Sequence, residues 1–127
     1  MQEVSACVLN EDGKILVCQR AKDKSLGLCW EFPGGKKEPG ESIEDCLVRE
    51  MKEELDVTVA PVKELYTADN GNFRVRFFKA RIVQGVPANK EHNDIRWIRK
   101  DGLKGKTFCP SDAQFLEHAD LDSLFTS

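Results

Sequence analysis

The stretch from Ser42 to Val57 places Ile43, Leu47, Val48, Met51 and Leu55 at helical spacing, and no other feature of the chain restricts its fold as tightly. At 100° per residue these five side chains share an arc of roughly 140°. A helix carrying one apolar stripe gains its stability by laying that stripe on another layer. Ser42 can cap its first turn, with Asp45 placed as in a capping box, and the helix should run to about Leu55.

The other layer reads as strands. Val4–Leu9 and Ile15–Cys18 are short apolar runs joined by Asn10-Glu11-Asp12-Gly13, a hairpin signal. Residues 57–66 form a strand interrupted near Pro61, residues 73–83 a long strand after the Asn70-Gly71-Asn72 turn, and Ile95–Ile98 a short one. Pro33-Gly34-Gly35 reads as a break, and residues 21–28 and 85–93 as polar loops. A last helix is expected from Ala113 to Leu124, capped by Ser111 or Asp112. Strands with one helix in the middle and one at the end predict an α+β fold with a mixed sheet.

A chain of 127 residues can bury a core without disulfides or structural metals. Its 19 basic and 22 acidic residues argue against stable binding to nucleic acid. The five cysteines are odd in number and lack CxxC spacing, so they read as buried or half-buried thiols of a reducing compartment. No signal-peptide pattern and no apolar run of membrane-spanning length is seen, which predicts a cytoplasmic protein with no membrane partner.

The predicted helix is also strongly acidic. Glu50 and Glu54 fall at the inner edge of the apolar arc and Glu53 one step further out. Like charges at i,i+4 repel, and partial burial raises that cost. A divalent cation would remove it, and an oxygen-only donor set suits Mg²⁺, with Mn²⁺ able to substitute. Arg49, with Asp45 four residues before it and Glu53 four after, can orient Glu53. Charge content alone favours a solvated, salt-bridged helix, since Glu-rich helices are common.

Spacing separates the two readings. Gly35, Glu41, Arg49, Glu50, Met51, Glu53, Glu54 and Val57 sit at the intervals of G-x5-E-x7-R-E-U-x-E-E-x-G-U, where U is bulky and aliphatic. The segment resembles the Nudix box. Its fixed identities recur by chance only about once in ten million windows of ordinary composition. One position departs: Asp56 stands where the pattern has Gly, a residue that ends the helix in the left-handed conformation. Asp tolerates that conformation better than most residues. Trp30-Glu31-Phe32-Pro33-Gly34-Gly35-Lys36, Gln19-Arg20-Ala21 and Phe108-Cys109-Pro110-Ser111-Asp112 extend the resemblance to the MutT-type branch and the related CTP pyrophosphohydrolases.

The resemblance implies a single Nudix domain over residues 1–127: an α/β/α sandwich with the Nudix helix on one side of a mixed sheet and the C-terminal helix on the other. It implies a hydrolase of phosphoanhydride bonds in nucleotides. Glu50, Glu53, Glu54 and the Gly34 carbonyl would hold the metal, Glu41 would support the site, and Arg49 would orient a glutamate. A loop carboxylate would join them. Glu91, six residues before Trp97, fits that place, with Asp94 and His92 as alternatives. Glu53 or Glu91 would take the proton from the attacking water, making both, with Arg49, catalytic candidates.

For the substrate, the candidates are Arg20, Trp30, Phe32, Gly35, Lys36, Glu41 and Asp112. Trp30 and Phe32 read equally as pocket or core, Arg20 as pocket or surface, and Asp112 as base recognition or helix cap. The substrate expected is a small nucleotide: 8-oxo-dGTP or another modified dNTP, as in sanitation of the nucleotide pool and DNA repair, or else CTP or dCTP. A non-catalytic nucleotide sensor and activity on ADP-ribose, dinucleoside polyphosphates or capped RNA are further alternatives. Monomer and homodimer stay open.

Overall fold

The computed structural model of the chain describes residues 1–126, so the last position of the expected domain lies outside the described residues. Strands β1 (Gln2–Glu11) and β2 (Lys14–Gln19) form the expected hairpin, whose turn places Asp12 and Gly13 at positive φ. β3 (Trp30–Glu31) and β4 (Gly34–Lys36) follow, then helix α1 (Ile43–Leu55), β5 (Thr58–Asp69), β6 (Phe73–Gln84), β7 (Asp94–Ile98), α2 (Pro110–His118) and α3 (Leu121–Leu124). The sheet order is β3-β2-β1-β6-β5, with β4 also paired to β1 and β7 to β2. β1 and β6 run parallel and the other pairs antiparallel, which makes the sheet mixed.

Alternation along the strands sorts the core into two layers. Cys7, Leu9, Leu16, Phe78 and Ala80 face α1, meeting Ile43, Leu47, Met51 and Leu55. Ala6, Val8, Ile15, Val17 and Phe77 face the other way, against Phe115 of α2, and the rings of Phe77 and Phe115 stack with centroids 4.5 Å apart. This is the expected α/β/α sandwich.

Three local expectations need correction. Pro33-Gly34-Gly35 is not simply a break: Gly34 and Gly35 belong to β4, because only glycine fits there. A Cβ on Gly34 would lie 1.9 Å from the Ser5 carbonyl oxygen. The last helix is two pieces, interrupted at Ala119-Asp120, and it begins at Pro110 after Cys109, with no side-chain cap from Ser111 or Asp112. Proline needs no donor at the first helical position, so the start was displaced to it. The strand after α1 extends to Asp69, and its interruption at Pro61 is a bulge that β5 absorbs without ending.

Helix α1 keeps its expected bounds. Ser42 Oγ accepts from Asp45 N at 3.0 Å, and Asp56 closes the helix in the left-handed region at φ 55°. Its buried stripe is rotated from the expected one. Cys46 is fully buried against Ser5 and Gly35, while Val48 is only half-buried. The centre of the buried arc is rotated by roughly 40° toward β4. Glu54, expected at the edge of the stripe, therefore falls inside it and is 3% exposed. All five cysteines are free thiols, four buried and Cys29 half-buried, as the sequence suggests. No described helix is long and apolar enough to cross a membrane.

Candidate active site

The chain leaves β3 on one half of the sheet, crosses through Phe32 and Pro33, and joins the other half as β4. The Pro33 carbonyl is held there by Cys7 N at 2.8 Å. This crossing carries Gly35 under α1. A Cβ on Gly35 would lie 2.4 Å from the Glu50 carboxyl carbon, so the missing side chain is the space that Glu50 fills. Gly34 and Gly35 line the same cavity, as do Lys36, Arg20, Phe32 and Asp112; its volume is about 420 Å³.

Arg49 organises the acid residues. Its guanidinium donates to both oxygens of Glu41 at 3.1 and 2.8 Å, to Glu50 at 3.0 Å, to Glu53 at 3.2 Å and to the Lys36 carbonyl at 3.1 Å. Arg49 was expected to touch Glu53; its pairing with Glu41 and Glu50 comes from the β4–α1 crossing, and Asp45 takes no part. The Arg49 hydrogen bonds hold the Glu41 carboxyl down at about 2. Glu41 also accepts from Glu38 N at 2.9 Å, so both its oxygens are engaged behind the cluster and it does not line the cavity. Glu53 is half exposed, with 52% of its side chain open to solvent.

Glu54 is the anomaly. Its Oε2 is buried with no hydrogen-bond partner. Burial, then the adjacent Glu50, then the charges of Glu91 and Glu31, push its carboxyl up to about 10. An isolated buried carboxylate is costly, and in the absence of a cation a proton supplies the missing charge. The oxygen donors of Glu50 and Glu54 fit a hard divalent cation in that proton's place, with Glu53 within one helical turn.

The loop after β6 is stitched to α1: Ala88 N donates to the Leu55 carbonyl at 2.8 Å and Lys90 N to the Glu54 carbonyl at 3.1 Å. Asn89 closes a turn by accepting from His92 N and donating to the His92 carbonyl. That turn aims Glu91 outward, where it is exposed and forms no hydrogen bond or ion pair among the described residues. It aims His92 inward, with Nε2 3.4 Å from both Glu54 Oε1 and Glu31 Oε2. Asp94 pairs with Arg96 at 2.8 Å, away from the glutamates.

Glu31 lies in the Trp30–Lys36 stretch, and the sequence pattern assigns it no role. The signal was strand alternation: Trp30 enters the α2-side core, so Glu31 must face α1. Its Oε1 also meets Arg20 Nη1 at 3.3 Å, and Arg20 holds the Ser25 carbonyl at 2.8 Å. Glu31, Cys109 and Asp112 present atoms within 4.8 Å of one another. Arg20 already balances Glu31, and burial pushes the Cys109 thiol up and the Asp112 carboxyl up to about 8. This trio is better suited to hydrogen bonding than to holding a cation. Asp112 is not a cap; its Oδ2 accepts from Phe32 N at 3.0 Å across the cavity wall.

Of the two aromatic candidates, Phe32 serves both readings. It is core, 5.5 Å edge-to-face from Phe115, and it lines the cavity. Trp30 belongs to the core alone, with Lys106 and Arg96 over its ring at 5.3 and 6.0 Å. Lys36 reaches over the Phe73 ring at 5.4 Å on the cavity rim.

A mixed sheet between two helical layers, with an Arg-clamped glutamate helix facing a glycine crossing, defines a hydrolase of the Nudix class. Residues 1–119 match the family described as NUDIX domain, and the chain belongs to that family. It is 33% identical to the CTP pyrophosphohydrolase of Escherichia coli (strain K12), covering 92% of this chain and 90% of that one. It is 30% identical to the 8-oxo-dGTP diphosphatase of the same organism, covering 88% and 90%. The solution structure of the E. coli ORF135 protein superposes with a TM-score of 0.74 at 30% identity, covering 92% of this chain and 86% of that chain.

Proposed function

We propose that the chain is one Nudix domain acting in the cytoplasm as a metal-dependent nucleoside triphosphate pyrophosphohydrolase of MutT type. It releases a nucleoside monophosphate and pyrophosphate from 8-oxo-dGTP or a related modified dNTP, as sanitation of the nucleotide pool requires. The observation that carries this reading is Glu54, a buried carboxyl with an orphaned oxygen beside Glu50 at the crossing that also lines the cavity.

Glu50, Glu53, Glu54 and the Gly34 carbonyl hold the cation, Mg²⁺ or Mn²⁺, with Glu91 supplying a further carboxylate from its loop. When bound, the cation polarises a phosphoryl oxygen and lowers the pKa of a water. Glu53, open to solvent and oriented by Arg49, accepts the proton of the attacking water. Lys36 offers positive charge to the phosphates from the cavity wall, and Arg20, paired with Glu31 and lining the same cavity, belongs to the base pocket. The base lies against Phe32 and Asp112.

The Asp112 carboxyl favours the oxidised-purine reading in one respect. Pushed up to about 8, it is largely protonated at neutral pH, and a neutral carboxyl donates as well as accepts. An asparagine amide offers the same two roles. Ionised, Asp112 only accepts, which suits the exocyclic amine of cytosine; the CTP or dCTP reading rests on that state and on the similarity to the CTP pyrophosphohydrolase. Hydrolysis across 8-oxo-dGTP, dGTP, CTP, dCTP, ADP-ribose and NADH, read as pyrophosphate from the triphosphates and as AMP from ADP-ribose and NADH, decides between them. Preference for 8-oxo-dGTP is expected. Preference for CTP would move the assignment to the second reading, and turnover of ADP-ribose alone would defeat both.

A further inference from the structure

Strand β5 carries a bulge at Val62. Before it, Val59 pairs with Ile82 and Pro61 with Ala80, on the α1 face; after it, Lys63 pairs directly with Lys79. Without the extra residue, strict alternation would keep Lys63 on the α1 face with Val59. The bulge turns it to the opposite face, where β6 presents Phe77 and Lys79. Two like charges directly opposite across a strand pair destabilise the sheet. Neither lysine forms an ion pair among the described residues, although the chain carries 22 acidic residues against 19 basic ones. The fold has brought two cations together and left them uncompensated.

They stand over a cavity of about 270 Å³ that shares no lining residue with the cavity beside the glutamates. Val8, Leu65, Phe115 and Leu124 line it with apolar surface. His118 is at one side, its ring stacked at 5.4 Å on Tyr66. Asp120 also borders it, with its carboxylate accepting from Ser123 N at 3.3 Å as the cap of α3. The break between α2 and α3 at Ala119-Asp120 opens the cavity wall, since a continuous helix would have carried the chain past it.

We propose that this cavity is a second ligand site, for a small molecule that joins a phosphomonoester to an apolar ring or chain. A phosphomonoester carries about −1.5 to −2 charge at neutral pH, matching two ammonium groups. An apolar body of ring size fits a volume near the lower end of small-molecule cavities. The bulge at Val62 and the helix break each contribute one half of the site: the cations and the opening.

The test is an NMR titration of amide shifts with phenyl phosphate, in EDTA so that no cation recruits the phosphate to the glutamates. Saturable shifts are expected in residues 63–66, 79 and 118–124. Inorganic phosphate should bind more weakly, and benzyl alcohol should give no saturable shift at the lysines. The Lys63→Ala/Lys79→Ala double variant should weaken phenyl phosphate at least about tenfold. Lys63→Glu should do the same while raising the melting temperature, because it converts a like-charge pair into an opposite one. Shifts confined to residues near Arg20, Lys36 and Asp112, shifts that do not saturate, or unchanged affinity in Lys63→Glu would each overturn the site.

Discussion

Glu54 and Asp112 are carboxyls that the fold keeps protonated, and both tie stability to pH in the same direction. Each has a folded pKa above its unfolded value: Glu54 about 10 against 4.5, and Asp112 about 8 against 3.8. The native state therefore binds more protons than the unfolded chain between those values, so stability falls as pH rises. The contribution is complete below about pH 4 and is lost as pH passes 8 and then 10. Melting temperatures measured in EDTA should fall steadily from pH 6 to pH 10. With saturating Mg²⁺ the fall should flatten, because the cation replaces the Glu54 proton; an identical slope in both conditions would show that Glu54 has no part in binding metal. Neither pKa could be read from the chain. The wheel places Glu54 near the apolar stripe, but its full burial follows from the roll of α1 toward β4, a tertiary effect. Asp112 reads as a helix cap because Ser-Asp before an apolar run is a common cap. Proline one position earlier started the helix sooner and freed the carboxyl for Phe32 N.

At the scale of elements, the fit between β4 and α1 is what makes the glutamates a site. Gly35→Ala would place a methyl 2.4 Å from the Glu50 carboxyl carbon and force that side chain out of position. The expected result is a Mn²⁺ affinity weaker by about tenfold or more, with a melting temperature close to wild type, read by calorimetry and thermal scanning. Gly34→Ala meets backbone at 1.9 Å instead, so its damage should be to the fold, with a loss of roughly 2–4 kcal/mol in denaturant unfolding. Asp56→Gly tests the one departure from the Nudix box. It relieves the positive φ at the end of α1, and a gain of roughly 0.5–1 kcal/mol is expected with turnover unchanged. The motif spacing made α1 and its cap legible to the residue. The same sequence gave no warning that Pro33-Gly34-Gly35 would pair as a strand, because the pairing depends on Ser5, thirty residues away.

For the whole molecule, composition and alternation were enough to expect layers around a mixed sheet, and the two faces of β1 and β2 bear that out. What local patterning lacked was the way distant loops meet. The loop after β6 binds α1 through Ala88 and Lys90, and its turn at Asn89 decides that His92, rather than Glu91, touches Glu54. Glu91 remains a loop carboxylate whose charge is felt at Glu54. The glutamates, the cavity and the loop thus converge only in three dimensions, and the proposed reaction requires all of them.

The most direct test is pyrophosphate release from 8-oxo-dGTP in Mg²⁺, measured for the wild-type chain and for Glu53→Gln side by side. Turnover by the wild type, abolished by EDTA and reduced about 10²–10⁴-fold in a Glu53→Gln protein of unchanged melting temperature, is the expected result. A Glu53→Gln protein that turns over as fast as wild type, or a wild type indifferent to EDTA, would contradict it.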